Sequence, residues 1–195
     1  MGQAHGETPF PRNWGATSED MAQAYPCDQF LPEYDDTYWR AVNIDAPAEM
    51  VFRWLCQLRV APYSYDWIDN FGRQSPRQLT PGLDDLKIGQ VAMTIFAICS
   101  FVPGRHLTLV IATPSSKAVF GELVVTYMVA PITPRRARLV AKIIVRYPQG
   151  LLGRLVRSVL PLGDLIMMRK QFLTLGKLAK ASYDNENGGE TPKDI

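Results

Sequence analysis

The sequence is poor in cysteine, and this shortage excludes two classes of small protein. Its 195 residues include three cysteines, Cys27, Cys56 and Cys99, which are odd in number and far apart. They match neither a disulfide framework nor the paired spacing of a metal site. We therefore expect free thiols in a reducing compartment, with no metal and no other cofactor.

The sequence also lacks a strong charge and a long apolar run. It holds 21 basic and 19 acidic residues, a net charge of +2, so no nucleic-acid partner is expected. The longest apolar stretch, Val91 to Phe101, is too short to span a bilayer. The N-terminal sequence MGQAHGETPFPRNWG has no apolar core of the kind that signal peptides carry. These features predict a cytoplasmic protein.

What remains is an ordinary globular composition, 47% hydrophobic and 21% charged. The length fits one domain, and both ends of the chain are polar and carry Gly and Pro. We expect a disordered segment at residues 1–13, a single domain over residues 14–183 and a disordered tail over residues 184–195.

The first half of the domain predicts a strand followed by helices. Residues 38–44 have the residue types of a strand, and apolar residues then recur at helical spacing over residues 47–59. Pro47 suits the first turn of that helix. A second short helix is predicted to begin at Asp66, and the Pro- and Gly-bearing residues 72–87 read as a loop.

The second half predicts a run of antiparallel strands and a long helix. From residue 88 onward four segments rich in β-branched residues are separated by turn sequences, including TPSSK at residues 113–117. In the last strand alternate residues from Leu139 to Tyr147 form one apolar face, which should point inward. A helical period returns after Gly150, and we expect residues 161–163 to break or kink that helix.

Five stretches of the sequence, in their order along the chain, carry a resemblance. They are WGAT (14–17), RAVNIDAPAEMVFRWLCQL (40–58), YSYDWIDN (63–70), LDDLKIGQ (83–90) and MMRKQFLTLGKLA (167–179). Together they resemble proteins of the START-like or SRPBCC superfamily over most of the chain. The superfamily includes polyketide cyclases and lipid-transfer domains. The resemblance implies an α+β helix-grip fold, in which a curved antiparallel sheet with two short helices after its first strand wraps around a long C-terminal helix. It also implies an elongated apolar cavity.

Two departures from the family pattern concern the shape of that cavity. The branch that the sequence resembles often has a Gly pair and another aromatic residue before the YSYDW motif, where this chain reads VAPYSYDW at residues 60–67. A Trp that is common in a central strand of the family corresponds to Val125 here. The resemblance therefore does not identify a ligand, and a shared fold does not fix one activity.

The stretch YSYDWIDNFG at residues 63–72 is the densest group of candidate site residues. Tyr63, Tyr65, Trp67 and Asn70 could line the mouth of the cavity, and a buried Asp66 beside a Tyr could act as a general base. The structural alternative is that Asp66 caps a helix while the aromatic rings pack in the core. His106, at the start of a strand, is a further candidate for proton transfer. Tyr65, Asp66 and His106 are thus the candidate catalytic residues.

The remaining candidate ligand-binding residues are inward-facing positions of the predicted strands and helices, for which ordinary core packing is the alternative role. They are Trp54, Met93, Leu123, Val125, Tyr127, Ile143, Met168 and Phe172.

Three functions are compatible with these residues. The first is binding of a hydrophobic small molecule, such as a lipid, polyketide or terpenoid, in an internal cavity. The second is a polyketide cyclase-like enzyme that folds a reactive chain in the same cavity. The third is contact with a membrane or partner through residues 151–160, near Arg154 and Arg157, although a solvated basic face is the simpler interpretation of these arginines. The sequence does not indicate an oligomeric state.

Overall fold

The computed structural model describes residues 9–69 and 72–187, and the strands within them form one curved sheet. The sheet runs in the order β1-β2-β7-β6-β5-β4-β3, and every neighbouring pair is antiparallel except β1 with β2. The strands are β1 (Asn13–Trp14), β2 (Asp36–Ile44), β3 (Val91–Ala92), β4 (Phe96–Val102), β5 (His106–Ile111), β6 (Glu122–Thr133) and β7 (Arg136–Arg146).

Six helices in the same residues complete the structure, and the last of them crosses the concave face of the sheet. They are α1 (Ser18–Ala22), α2 (Cys27–Phe30), α3 (Ala48–Cys56), α4 (Asp66–Asp69), α5 (Pro114–Phe120) and α6 (Gly150–Asn187), with a 3-10 turn at Gln57–Arg59 after α3. This is the predicted α+β helix grip. None of the described helices is both long and apolar enough to cross a membrane.

The main core lies between the concave face of the sheet and α6. The predicted inward face of β7 is buried there, and it includes Leu139, Ile143 and Val145. This confirms the prediction from the alternating residues of that strand. Tyr127 on β6 and Phe172 on α6 meet in this core with ring centroids 6.1 Å apart. Burial of these large apolar side chains is the main force that holds α6 in the sheet.

The convex face of the sheet carries a second, smaller core that the sequence interpretation did not include. Tyr25 and Leu31, from the region of α1 and α2, pack there against Trp39 and Ile144 of the sheet. The Cys27 amide, at the start of α2, donates a hydrogen bond of 2.9 Å to the Thr126 hydroxyl on β6. The N-terminal helices therefore cover part of the convex face of the sheet.

Two predicted elements differ from the structure. Residues 114–120, read as a turn and part of a strand, form α5, because Thr113 caps the segment by accepting a hydrogen bond from the Ser116 amide and Pro114 occupies its first turn. The predicted break at residues 161–163 is absent, and α6 continues through Pro161. Pro161 and Leu165 are buried and the Pro161 carbonyl accepts from Arg40, so tertiary contacts offset the one backbone hydrogen bond that proline cannot donate.

The boundaries of the folded part are also wider than residues 14–183. Arg12 forms an ion pair with Asp36 at 2.7 Å, and Asn13 pairs with Trp39 in the sheet. At the other end α6 reaches Asn187, where Arg53 of α3 contacts Glu186 at 3.0 Å. Both extensions rest on ion pairs with the body of the domain, which the local composition does not reveal.

Candidate functional site

A cavity of about 780 Å³ lies between the concave face of the sheet, α5 and the first half of α6. Its volume falls within the range of roughly 300–1,000 Å³ that is typical of small-molecule sites. The sheet contributes side chains from β4, β5, β6 and β7, and the segment around Pro62 and Met93 forms one end. The grip of the sheet on α6 therefore leaves internal space instead of a filled core.

The lining of this cavity is almost entirely apolar. Phe96 and Phe120 lie in its wall without filling it, and Met167 and Met168 contribute flexible thioethers. Of the candidate ligand-binding residues, those that lie in the wall are Met93, Leu123, Val125, Tyr127, Ile143 and Met168.

Two polar side chains in the wall, Tyr127 and Gln171, satisfy each other. The Tyr127 hydroxyl donates to the Gln171 side-chain oxygen at 3.0 Å, and the Gln171 amide donates to the Pro62 carbonyl at 2.7 Å. Burial raises the pKa of the Tyr127 hydroxyl far above its usual range, so this group stays neutral at physiological pH. It can orient a ligand by hydrogen bonding, but it is a poor source of protons.

A buried ion pair forms part of the cavity wall near the middle of α6. Asp164 lines the cavity and accepts from the Arg40 guanidinium of β2, with nitrogen–oxygen distances of 2.8 and 3.0 Å. The Arg40 guanidinium also donates hydrogen bonds to the carbonyls of Arg12, Trp39 and Pro161. Burial raises the pKa of the Asp164 carboxyl above its usual range, while the charge and hydrogen bond of Arg40 act in the opposite direction.

The mouth of the cavity is bordered by apolar side chains that are exposed to solvent. Leu155 and Val159, on the first half of α6, are 62% and 59% exposed although they also line the cavity. Val119 of α5 and Leu152 and Ile166 of α6 share both properties. We refer to these five residues as the apolar rim.

Three of the aromatic candidates belong to the core and lie outside the cavity wall. Trp54 is fully buried on α3 and donates to the Ser182 hydroxyl of α6 at 3.1 Å. Its ring meets Tyr63 edge-on, with centroids 5.8 Å apart. Phe172 is buried between Trp14 and Tyr127. The structural alternative therefore describes Trp54 and Phe172 better than ligand contact does.

The rest of the 63–72 stretch does not converge on the cavity. Trp67 is 76% exposed on α4, and the half-buried Tyr65 lies beneath the Lys170 ammonium at 6.0 Å. Asp66 accepts hydrogen bonds from the amide and hydroxyl of Ser75, at 3.0 and 2.5 Å. Asn70 falls outside the described residues. Asp66 thus begins a helix and secures a loop, and the proposed base beside Tyr65 is not at the cavity.

His106 lies on the opposite face of the sheet from the cavity. It pairs with Met128 across the strands, while the inward positions next to each of them are Leu107 and Tyr127. Its imidazole is 3.2 Å from the Ser100 hydroxyl, and burial, followed by the charge of Arg105, lowers its pKa. The three candidate catalytic residues are therefore separated from the cavity.

Sequence reasoning missed the polar groups that the cavity does contain, Gln171 and the Arg40–Asp164 pair. A signal was present, because Arg40 lies in the inward register of its strand between Tyr38 and Val42. A charged residue in such a position needs a buried partner of opposite charge.

The chain matches no protein-family model and no curated protein sequence. Similar solved structures include a START superfamily protein from Mycobacterium smegmatis, with 13% identity and a TM-score of 0.44 over 77% of this chain and 99% of that one. The Zhui aromatase/cyclase from Streptomyces sp. R1128 has 12% identity and a TM-score of 0.43, covering 82% and 99% of the two chains.

A hypothetical protein from Helicobacter pylori is similar at the same level, with 13% identity and a TM-score of 0.48 over 81% of this chain and 96% of that one. The fold assignment itself rests on the strand order and on the long helix across the concave face. The fold is START-like. Its function has to be argued from the cavity, because the fold alone supports many activities.

Proposed function

We propose that this START-like protein binds a hydrophobic small molecule of the lipid, polyketide or terpenoid type in its internal cavity. The observation that carries the proposal is the apolar wall of a 780 Å³ cavity. Burial of apolar ligand surface contributes about 25 cal/mol per Å², so shape and apolar contact would supply most of the affinity. The Tyr127 hydroxyl, whose proton is donated to Gln171, would orient a ligand by accepting a hydrogen bond from it.

The polar groups of the cavity favour binding over turnover. A cyclase would use a proton donor or acceptor that faces the ligand with free hydrogen-bonding capacity. Tyr127 and Gln171 bond to each other, and Asp164 is paired with Arg40. The cyclase hypothesis would now have to use Asp164, the one cavity residue whose carboxyl has a raised pKa. We regard it as the weaker alternative.

A second function, contact with a membrane, is supported by the apolar rim. Leu151 and Leu155 on the first half of α6 are 80% and 62% exposed, and Leu155 borders the cavity mouth. The exposed Arg154 lies between them on the same helix. An apolar helix face with a cation beside it is typical of segments that insert into an anionic membrane surface. Such contact would let a ligand pass from the bilayer to the cavity without crossing water.

A cytoplasmic location is part of the same proposal. It rests on the unpaired Cys27, Cys56 and Cys99.

Native mass spectrometry of the purified protein is the first test of ligand binding. We expect a mass above that of the chain, and release of an apolar molecule after denaturing extraction. Binding is then measured by titration with Nile red, a neutral apolar dye. Met168→Trp should weaken dye binding by about tenfold or more, since the larger side chain occupies the cavity.

The matched control places the same residue type on the surface, at Val60, which is 44% exposed and does not line the cavity. Val60→Trp should bind the dye as the wild type does. The melting temperature of both variants shows whether they fold. A clean mass together with equal dye binding by folded Met168→Trp, Val60→Trp and wild-type protein would contradict the proposal.

A further inference from the structure

A second concave site lies on the other side of Ser64 from the apolar cavity. It is a groove of about 400 Å³ between the 63–77 segment and the second half of α6. We refer to it as the basic groove. Its lining residues are Tyr63, Ser64, Asp66, Ser75, Arg77, Arg169, Lys170, Leu173, Thr174, Lys177 and Leu178.

The groove carries a strong excess of positive charge. Its lining holds four cations, Arg77, Arg169, Lys170 and Lys177, against one carboxylate, Asp66. Asp66 already accepts two hydrogen bonds from Ser75. None of the four cations has a carboxylate within ion-pair distance among the side chains that the structure describes. Like charges around one groove repel each other, and a bound anion would offset that repulsion.

Two of these cations are held in place by aromatic rings. The Arg169 guanidinium lies 5.7 Å from the centre of the Trp14 ring, and the Lys170 ammonium lies 6.0 Å from the Tyr65 ring. Such contacts orient a cation and leave its charge intact. Arg169 and Lys170 therefore keep free donors for a ligand in the groove.

The Tyr63 hydroxyl is a second, independent feature of the groove. Tyr63 lines the groove, is 1% exposed, and its hydroxyl is the one buried side-chain polar atom without a hydrogen-bond partner among the described residues. Burial, and then the charge of Asp66, raise the pKa of this hydroxyl to about 12, so it remains a neutral donor near the groove. A buried donor without a partner destabilises the folded protein, and an acceptor in the groove would remove that cost.

We propose that the basic groove binds a phosphate group, with Arg77 and Lys177 supplying charge and the Tyr63 hydroxyl donating to one of its oxygens. A phosphate monoester carries a charge of about −1.5 to −2 at neutral pH and has three acceptor oxygens. The charge of a phosphate monoester offsets the positive charge of the groove better than the single charge of a carboxylate would. Arginine matches phosphate geometry through paired N–H donors. Since the groove and the cavity are separate, this proposal does not depend on the hydrophobic ligand.

The test is titration of the isotope-labelled full chain with inorganic phosphate, followed by NMR. We expect saturable shifts of the amides of residues 63–66, 75–77 and 169–178. Loss of two cations in Arg77→Gln/Lys177→Gln should weaken phosphate binding by about tenfold or more, because hydrogen bonds to charged groups are among the stronger ones. Arg105→Gln/Arg135→Gln removes the same charge from two exposed turns and should leave binding unchanged.

Tyr63→Phe separates a binding role from a structural one. Without phosphate this variant should be as stable as the wild type or more stable, because it removes a buried donor that has no partner. Its phosphate affinity should fall by several-fold. A purely structural Tyr63 would leave the affinity unchanged.

A parallel titration with a soluble short-chain phosphatidic acid identifies the source of the phosphate group. Much tighter binding of the lipid than of inorganic phosphate would assign the groove to a lipid head group, and equal binding would assign it to a free phosphate compound. Both results support the proposal. The absence of saturable shifts with either probe, or an equal loss in the groove variant and the turn variant, would overturn it.

Discussion

At the scale of single residues, the buried Arg40–Asp164 pair fixes the position of α6 over the cavity. The Arg40 side chain is fully buried, whereas Asp164 remains 15% exposed and lines the cavity. Removal of a charge from water is expensive, and a buried pair adds little net stability compared with apolar residues of the same size. What it provides is geometry, because Arg40 also binds the Pro161 carbonyl. The pair therefore holds α6 where proline removes a helical hydrogen bond.

A second ion pair, Asp20 with Arg138, should make stability depend on pH. Burial acts to raise the pKa of Asp20, but the hydrogen bonds and charge of Arg138 and the cap formed with Thr17 lower it below 3.8. A carboxyl with a lowered folded-state pKa contributes its full stability above the unfolded value, and loses it as the pH falls through the folded value. We expect the free energy of unfolding to fall below about pH 4.

Urea unfolding at a series of pH values measures this effect. At pH 7 Asp20→Asn should lower the free energy of unfolding by about 1–3 kcal/mol, and its difference from the wild type should shrink at acid pH. Glu33→Gln, at a carboxylate whose side chain is 91% exposed, should stay within about 0.5 kcal/mol of the wild type. A constant difference between Asp20→Asn and the wild type from pH 7 to pH 2 would exclude this origin of the acid sensitivity.

At the scale of elements, α6 begins with a close approach that only glycine permits. A side-chain carbon at Gly153 would lie 1.6 Å from the Pro148 carbonyl oxygen, far inside contact distance. Gly153→Ala should therefore shift the first turn of α6 and lower the free energy of unfolding by about 1–3 kcal/mol. Since Leu152 and Leu155 flank this turn, the cavity mouth should change with it.

Gly163, further along the same helix, is a matched control. A side-chain carbon there would meet nothing within 4 Å, and the residue is helical. Gly163→Ala should therefore raise the free energy of unfolding by up to about 1 kcal/mol, from the helix preference of alanine. Chemical denaturation of both variants is the measurement. Equal effects of the two substitutions would show that the contact with Pro148 relaxes without cost.

The elements also show what the sequence could predict. Residue types identified β2, and clear periodicity identified α3 and the inward face of β7. It failed for α5, whose seven residues are too few to show a helical period and whose cap, Thr113, resembles ordinary turn chemistry. It failed again at Pro161, where tertiary contacts overrode a local helix breaker.

At the scale of the whole molecule, the sequence predicted the fold better than the site. Inward-facing strand residues such as Leu123 and Val125 could be assigned to the cavity because strand alternation sets their direction. Asp66 and His106 could not be placed in this way, since their positions depend on how a loop and a turn pack. The N-terminal layer was missed because α1 and α2 are too short to show a period.

Two different sites lie toward opposite ends of α6. The cavity mouth with its apolar rim is at one end, and the basic groove is toward the other. If the mouth meets a bilayer, the protein should sediment with phospholipid vesicles, more strongly when they contain phosphatidylserine. Leu155→Gln/Val159→Gln should weaken this binding by about tenfold or more, because each buried leucine or valine contributes about 1.5–3 kcal/mol. Arg154→Gln should reduce only the preference for phosphatidylserine.

A control variant at exposed apolar residues elsewhere tests whether vesicle binding is specific to the apolar rim. Val60 and Ile88 are 44% and 64% exposed and do not line the cavity. Val60→Gln/Ile88→Gln should therefore sediment as the wild type does. Equal losses in the two double variants would mean that vesicles bind any exposed apolar residue, and a wild type that stays in the supernatant would leave the rim without a membrane role. Selective loss at the rim would place the cavity mouth at the bilayer surface, where an apolar ligand can enter without exposure to water.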